Sequence, residues 1–141
     1  MNESQELGNR IIVQSLDKKI NISELEKYAS HESPYVRSAV AVALGNLGGN
    51  EAYALWKKLM QDSEELVVGD AIIAAAKLGD SRCIDKIIEA YNQYGYHLKT
   101  RVIIAMPYFK DQKAKDFLEK LKEEEKEPTL KELIESTEEN N

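Results

Sequence analysis

The chain has 141 residues, 43% of them hydrophobic and 31% charged, and a net charge of −6. This is enough apolar material for one continuous core, while the one cysteine, Cys83, excludes an internal disulfide and a cysteine-rich zinc site. The acidity is local: residues 119–141 hold nine acids and four bases, leaving 16 acids against 15 bases in residues 1–118, so the Lys/Arg excess that counterion release from phosphates requires is missing, and nucleic acid is not an expected partner.

The first residues, Met1-Asn2-Glu3-Ser4-Gln5-Glu6, are polar and acidic and have no basic segment followed by an apolar one. Nowhere does an apolar run approach the roughly 20 residues that cross a bilayer. The expectation is a soluble, cytoplasmic protein that does not bind membranes.

In chain order, residues 3–16 are predicted as a helix, followed by a second helix over residues 23–30. Ser33 and Pro34 read as N-cap and first position of a helix that ends at Gly48-Gly49. A further helix carries Ala52, Trp56 and Leu59. Ser63 is read as the cap of the next helix, with Glu64 and Glu65 in its first turn and Gly79 as its stop. Cys83, Ile87 and Ala90 mark the helix after that, and Leu98, Val102, Ala105, Met106 and Phe109 the one following, in which Pro107 is expected to produce a kink. A helix with Ala114, Leu118 and Leu121 then leads into a charged stretch. Thr129-Leu130-Lys131-Glu132 reads as a capping box ahead of Leu133 and Ile134. A short helix sealing the fold and a frayed acidic tail are both consistent with this segment, and residues 136–141 are expected to be disordered.

These elements repeat every 31 residues. Val36/Val67/Leu98, Val40/Ala71/Val102, Ala43/Ala74/Ala105, Leu44/Ala75/Met106 and Leu47/Leu78/Phe109 fall on one face of the first helix of each repeat. Leu25/Trp56/Ile87/Leu118, Tyr28/Leu59/Ala90/Leu121 and the small-residue slot Ala52/Cys83/Ala114 do the same for the second. Each repeat is thus a hairpin of helix A and helix B. Ala41/Ile72/Ile103 and Val42/Ile73/Ile104 add apolar surface that only a neighbouring hairpin can bury, the logic of a stacked solenoid. Stepping back one period puts Asn9, Ile12, Val13 and Leu16 on the core face of the first helix, with polar Gln5 and Asn9 suiting a cap that meets water. The fold class is all-α, an α-α superhelix of about four hairpins. Residues 1–31 are a capping hairpin, 33–62, 63–94 and 96–127 are repeats, and 128–141 form an acidic C-terminal segment.

Val36-Arg37, Ala43-Leu44-Gly45, Leu47 and Gly48, followed by Ala71, Ala74, Leu78, Gly79 and Asp80, resemble helix A of bacterial HEAT repeats of the phycocyanobilin-lyase-like type. Cys83-Ile84, Ile87-Ile88 and Ala90-Tyr91 are similar to that family's helix B, and the likeness spans residues 33–122. Val68 in place of an Arg, Lys110 in place of a Gly, and Pro107 depart from it. The resemblance implies a HEAT-like solenoid with its exposed helix-B positions on the concave side. It also implies two classes of function: a non-enzymatic scaffold or adaptor, or an enzyme or enzyme accessory like the bilin lyases or the HEAT-fold DNA glycosylases.

No catalytic, cofactor or metal site is expected, because no nucleophile elbow, phosphate loop, paired cysteines or His-x-x-x-His spacing occurs. His31 and His97, 66 residues apart, read as turn residues of separate connections. Asp70 beside the apolar seam reads either as a perturbed acid or as one that reaches solvent or a base. Trp56 and Cys83 occupy core slots, so packing is preferred to a binding or reactive role. The candidate partner-binding residues are the exposed helix-B positions Lys27, Lys57, Lys58, Arg82, Lys86 and Glu89, with Tyr94 and Tyr96 near Gly95. For the two tyrosines, packing against the repeat ridge is the alternative. Rows such as Lys27/Lys58/Glu89/Lys120 and Glu26/Lys57/Ile88/Glu119 mix signs, which suits a protein or peptide partner of a monomeric chain.

Overall fold

A computed structural model describes residues 2–139 of the chain. Among the described residues are nine α-helices and no strand: α1 (Glu3–Leu16), α2 (Ile22–Tyr28), α3 (Pro34–Leu47), α4 (Ala52–Leu59), α5 (Glu65–Leu78), α6 (Ile84–Gln93), α7 (Tyr96–Ala105), α8 (Gln112–Glu124) and α9 (Pro128–Glu139). Single 3-10 turns, Ser81–Cys83 and Met106–Tyr108, precede α6 and follow α7. The fold is an all-α, HEAT-like helical repeat. Two compact units divide it, Met1–Leu78 and Gly79–Asn141.

In the first unit the odd-numbered helices stack side by side, α1 on α3 and α3 on α5. Small residues permit the close approach. A Cβ added to Gly45 would lie 3.1 Å from the Ala74 Cα, and one added to Gly8 would lie 3.3 Å from the Ala39 Cβ. The rows read from the sequence are buried here: Val36, Val40, Ala43, Leu44, Val67, Ala71 and Ala75 have no more than 0% exposure, as do Leu25 and Trp56 of the even-numbered helices. Burying such side chains contributes about 1.5–3 kcal/mol each. Gly48 and Gly49, at φ 69° and 91°, end α3 in the left-handed region where a Cβ would be strained.

Helix α1 departs from the expected register. It buries Gly8, Ile11 and Ser15, leaving Val13 56% and Leu16 63% exposed. The reason is its partner: α1 packs on α3 rather than forming a tight hairpin with α2, which packs on α3 and α4 instead. The face predicted for the core therefore turns outward, and Asn9 is exposed with it. Just ahead of α5, which begins at Glu65, the Asp62 carboxylate accepts the Glu64 N–H at 3.0 Å. Ser33 does stand at the N-cap of α3 with Pro34 after it, but its hydroxyl makes no cap bond.

In the second unit α6 and α9 pack on α7, and α8 packs on α6 and α9. Cys83, Ile84, Ile87, Ala90, Leu98, Val102, Ile103 and Ala105 form the core. Pro107 does not kink a continuing helix. It ends α7 at Ala105 and sits in the 3-10 turn, because the missing N–H and the ring clash both fall where the next α-turn would form. Ile104, expected to be covered like Val42 and Ile73, remains 41% exposed.

The C-terminal segment is a 12-residue helix, so Ser136–Glu139 are helical rather than disordered, and residues 140 and 141 lie outside the described residues. Its cap is Glu127, whose carboxylate accepts from the Leu130 N–H at 2.9 Å and from the Thr129 hydroxyl, with Pro128 as first helical residue. The predicted Thr129–Glu132 box does not form. Leu130 and Ile134 are buried at 2% and 1%. Helix α9 starts at residue 128 after starts at 3, 34, 65 and 96 for α1, α3, α5 and α7, which makes it the next helix A in the period.

Candidate protein-interaction surface

In the first unit the helix-B face is built on α2 and α4, which pack together. The Trp56 indole is fully buried and donates its Nε1–H to the Ala71 carbonyl at 2.7 Å, so it belongs to the core, as its row predicts. Tyr53 stacks on that indole at 6.0 Å between ring centroids, and the Lys57 ammonium lies 5.0 Å from the Tyr53 centroid. A buried ring thus positions a half-buried ring, which positions an exposed cation. Lys58 is exposed and donates to the Ser30 hydroxyl at 2.8 Å. Lys27 is exposed as well. Three of the candidate residues, Lys27, Lys57 and Lys58, therefore share the solvent side of two adjoining helices.

The remaining candidates lie in the second unit. Arg82 is exposed but clasped by Asp80, with Nε–H and Nη2–H donating at 2.6 to 3.0 Å. The hydrogen bond from Arg82 holds the Asp80 carboxyl below its usual range against the opposing effect of burial. Lys86 is half-buried and Glu89 exposed on α6. Asp85 on the same helix pairs with Lys113 at 3.0 Å. Tyr94 is half-buried at the C-cap of α6. Tyr96 is 48% exposed, and its hydroxyl is 2.8 Å from that of Thr129.

His31 lies in the connection before α3, where its Nδ1 accepts the Ser33 N–H at 3.0 Å. His97 is in the first turn of α7 rather than in the connection, its ring edge-on to Tyr96 at 5.9 Å. Asp70 accepts a hydrogen bond from the Ser38 hydroxyl. Cys83 is fully buried, and desolvation pushes its thiol up to about 12, which leaves almost no thiolate at neutral pH.

One constellation was not foreseen. Tyr91, 3% exposed, donates its hydroxyl to the Glu125 carboxylate, while Lys99 sits 5.0 Å from the Tyr91 centroid. The other Glu125 oxygen accepts the N–H groups of Lys126 and Glu127 at 3.0 and 3.1 Å. Burial chiefly, then the hydrogen bond to Glu125, raises the Tyr91 hydroxyl above its usual value. Burial of Glu125 acts to raise its carboxyl, but the bonds from Tyr91, Glu127 and Lys126 outweigh it and lower the net value. These groups hold the α8–α9 connection in place. Tyr91 occupies an ordinary apolar position in the repeat, so only the contact with Glu125, 34 residues away, reveals the role.

A stack of helical hairpins offering exposed positions from a rigid core defines a helical-repeat protein. A family model described as HEAT repeats matches residues 7–76, in agreement with the all-α, HEAT-like helical repeat of the fold. That match runs from within α1 to within α5. HEAT repeats are generally scaffolds for protein interaction. No curated protein matches the chain. No helix among the described residues is long and apolar enough to cross a membrane.

Proposed function

We propose that the chain is a non-enzymatic scaffold that binds a protein or peptide partner through the exposed side of its B helices, and that the first unit engages an acidic segment with Lys27, Lys57 and Lys58. The observation that carries this is the layering at α4, where buried Trp56 orders Tyr53 and Tyr53 orders Lys57. A cation fixed on a rigid base loses little side-chain entropy on binding. The neutral body outside residues 119–141 supports a protein over a nucleic acid. The lone buried thiol supports a reducing, cytoplasmic setting.

The test compares affinity capture by the native chain with capture by a Lys27→Glu/Lys57→Glu/Lys58→Glu variant, quantified by mass spectrometry at two salt concentrations. Proteins held by the native chain should be depleted at least tenfold from the variant and released by salt. Identical capture profiles would overturn the assignment of this face.

A further inference from the structure

Two clefts of about 390 and 500 Å³ in the second unit share Pro107, Lys110 and Thr137 in their walls and so form one trough. Ile104 and Tyr108 edge it on one side, 41% and 65% exposed, and Leu118 on the other.

The repeat explains its shape. Leu118 belongs to the row of Leu25, Trp56 and Ile87, each 0% exposed, yet is only half-buried. Ser136 and Thr137 stand one period after Ala105 and Met106, both 0% exposed. Helix α9 is thus an A helix that carries hydroxyls, donating to the Leu133 and Ile134 carbonyls, where the earlier A helices bury apolar side chains. The trough between α8 and α9 has the outline of a seat for one more helix B.

Its charge indicates what kind of helix fits. Lys110 and Lys115 line the trough, and among the described residues neither side chain has a hydrogen-bond or ion-pair partner. Of the two carboxylates in the same wall, Glu138 is already held by Lys122 at 2.9 Å, which leaves Glu119. Cations outnumber open anions beside an apolar floor.

We infer that this trough docks an amphipathic α-helix of a partner protein, its apolar stripe on Leu118 and Ile104 and an acidic flank facing Lys110 and Lys115. This rests on the reading of the chain as an interaction module but not on the lysine face of the first unit, so either surface can fail alone.

The test uses the full chain and two fluorescein-labelled synthetic helical peptides with the same leucine stripe, one flanked by glutamates and one by lysines, followed by fluorescence anisotropy. The acidic peptide should bind saturably and at least tenfold more tightly than the basic one. Lys110→Glu/Lys115→Glu should reverse that preference, and Leu118→Asp should weaken both, while Lys57→Glu/Lys58→Glu leaves them unchanged. Circular dichroism of each variant establishes that it is folded. Equal affinities for the two peptides, no binding, or insensitivity to the Lys110/Lys115 pair would overturn the proposal. Sedimentation showing that the chain dimerises and that Lys110→Glu abolishes the dimer would assign the trough to a second copy instead.

Discussion

Asn46 donates its side-chain amide to the Ser15 hydroxyl at 3.0 Å across a sequence separation of 31 residues. Its carbonyl oxygen accepts from Lys77, another 31 residues on, at 2.9 Å. Ser15 is 0% exposed and passes its own hydrogen to the Ile12 carbonyl at 2.6 Å. One position of three successive repeats is thus joined into a polar ladder over α1, α3 and α5. Asn46→Ala should cost about 1–2 kcal/mol by leaving the buried Ser15 oxygen and the Lys77 ammonium without their partner. Urea unfolding measures this, and an unchanged midpoint would contradict the ladder's role.

Arg37 performs a comparable task between connections. Its guanidinium meets Asp62 through two bonds of 2.8 and 3.2 Å and donates to the His31 and Glu32 carbonyls at 2.7 and 3.1 Å. The side chains of Arg37 and Asp62 are only 14% and 9% exposed. Arg37→Ala should destabilise the fold by about 2–4 kcal/mol, since it leaves Asp62 nearly buried without its cation. Arg37→Lys should recover less than half, because an ammonium cannot span both carboxylate oxygens and both carbonyls. Thermal melts of the two variants distinguish these outcomes.

The seam between α3 and α5 tolerates no added volume. Gly45→Val sets new carbons against the Ala74 backbone, 3.1 Å from where its Cβ would stand, and should cost about 1–3 kcal/mol despite the loss of a helical glycine. Ala74→Glu, at a site 3% exposed, places a carboxylate in the same seam and should unfold the first unit. A native-like circular dichroism spectrum and melt for Ala74→Glu would refute the packing described.

Acid should loosen the start of α9. The carboxyls of Glu125 and Glu127 are both held below their usual value of 4.5, Glu127 by the hydrogen bond from Thr129 and then by the Leu130 N–H. A group depressed in the folded state contributes stability above its unfolded pKa and loses it as pH falls through the folded value. The protection of the amides at residues 126–131, relative to their intrinsic exchange rates at each pH, should therefore fall below about pH 4.5, and Glu125→Gln should flatten that dependence. Tyr91 acts at the other extreme. Its raised pKa contributes stability that is full below 10.0 and declines as pH rises beyond it, a loss that Tyr91→Phe should remove.

Much of the fold was legible because burial follows period. Rows such as Val36/Val67/Leu98 and Ala52/Cys83/Ala114 needed only apolar residues at a fixed spacing. The errors fall where a helix lacks a neighbour on one side. Val13 and Leu16 carry the right residue types, but α1 turns a different face to α3. Helix α9 keeps the spacing of the A helices, and Leu130 and Ile134 supply its buried stripe, yet the dense charge around them resembled a solvated tail. The cap of α9 was misplaced by two residues, Glu127 for Thr129, because several adjacent side chains can accept the same N–H and only geometry selects among them. The surface was least legible. Exposure of Lys27 or Glu89 follows from the period, but the clasp of Asp80 on Arg82, or the contact of Tyr91 with Glu125, depends on rotamers that no spacing encodes.

Trp56 is the only tryptophan of the chain, and it is sealed in the first unit with its N–H bonded to a carbonyl. Its emission is consequently a private signal of that unit, whereas far-ultraviolet dichroism sums the helices of both. Following the two during one urea titration would show directly whether residues 1–78 and 79–141 melt as a single cooperative block or in succession.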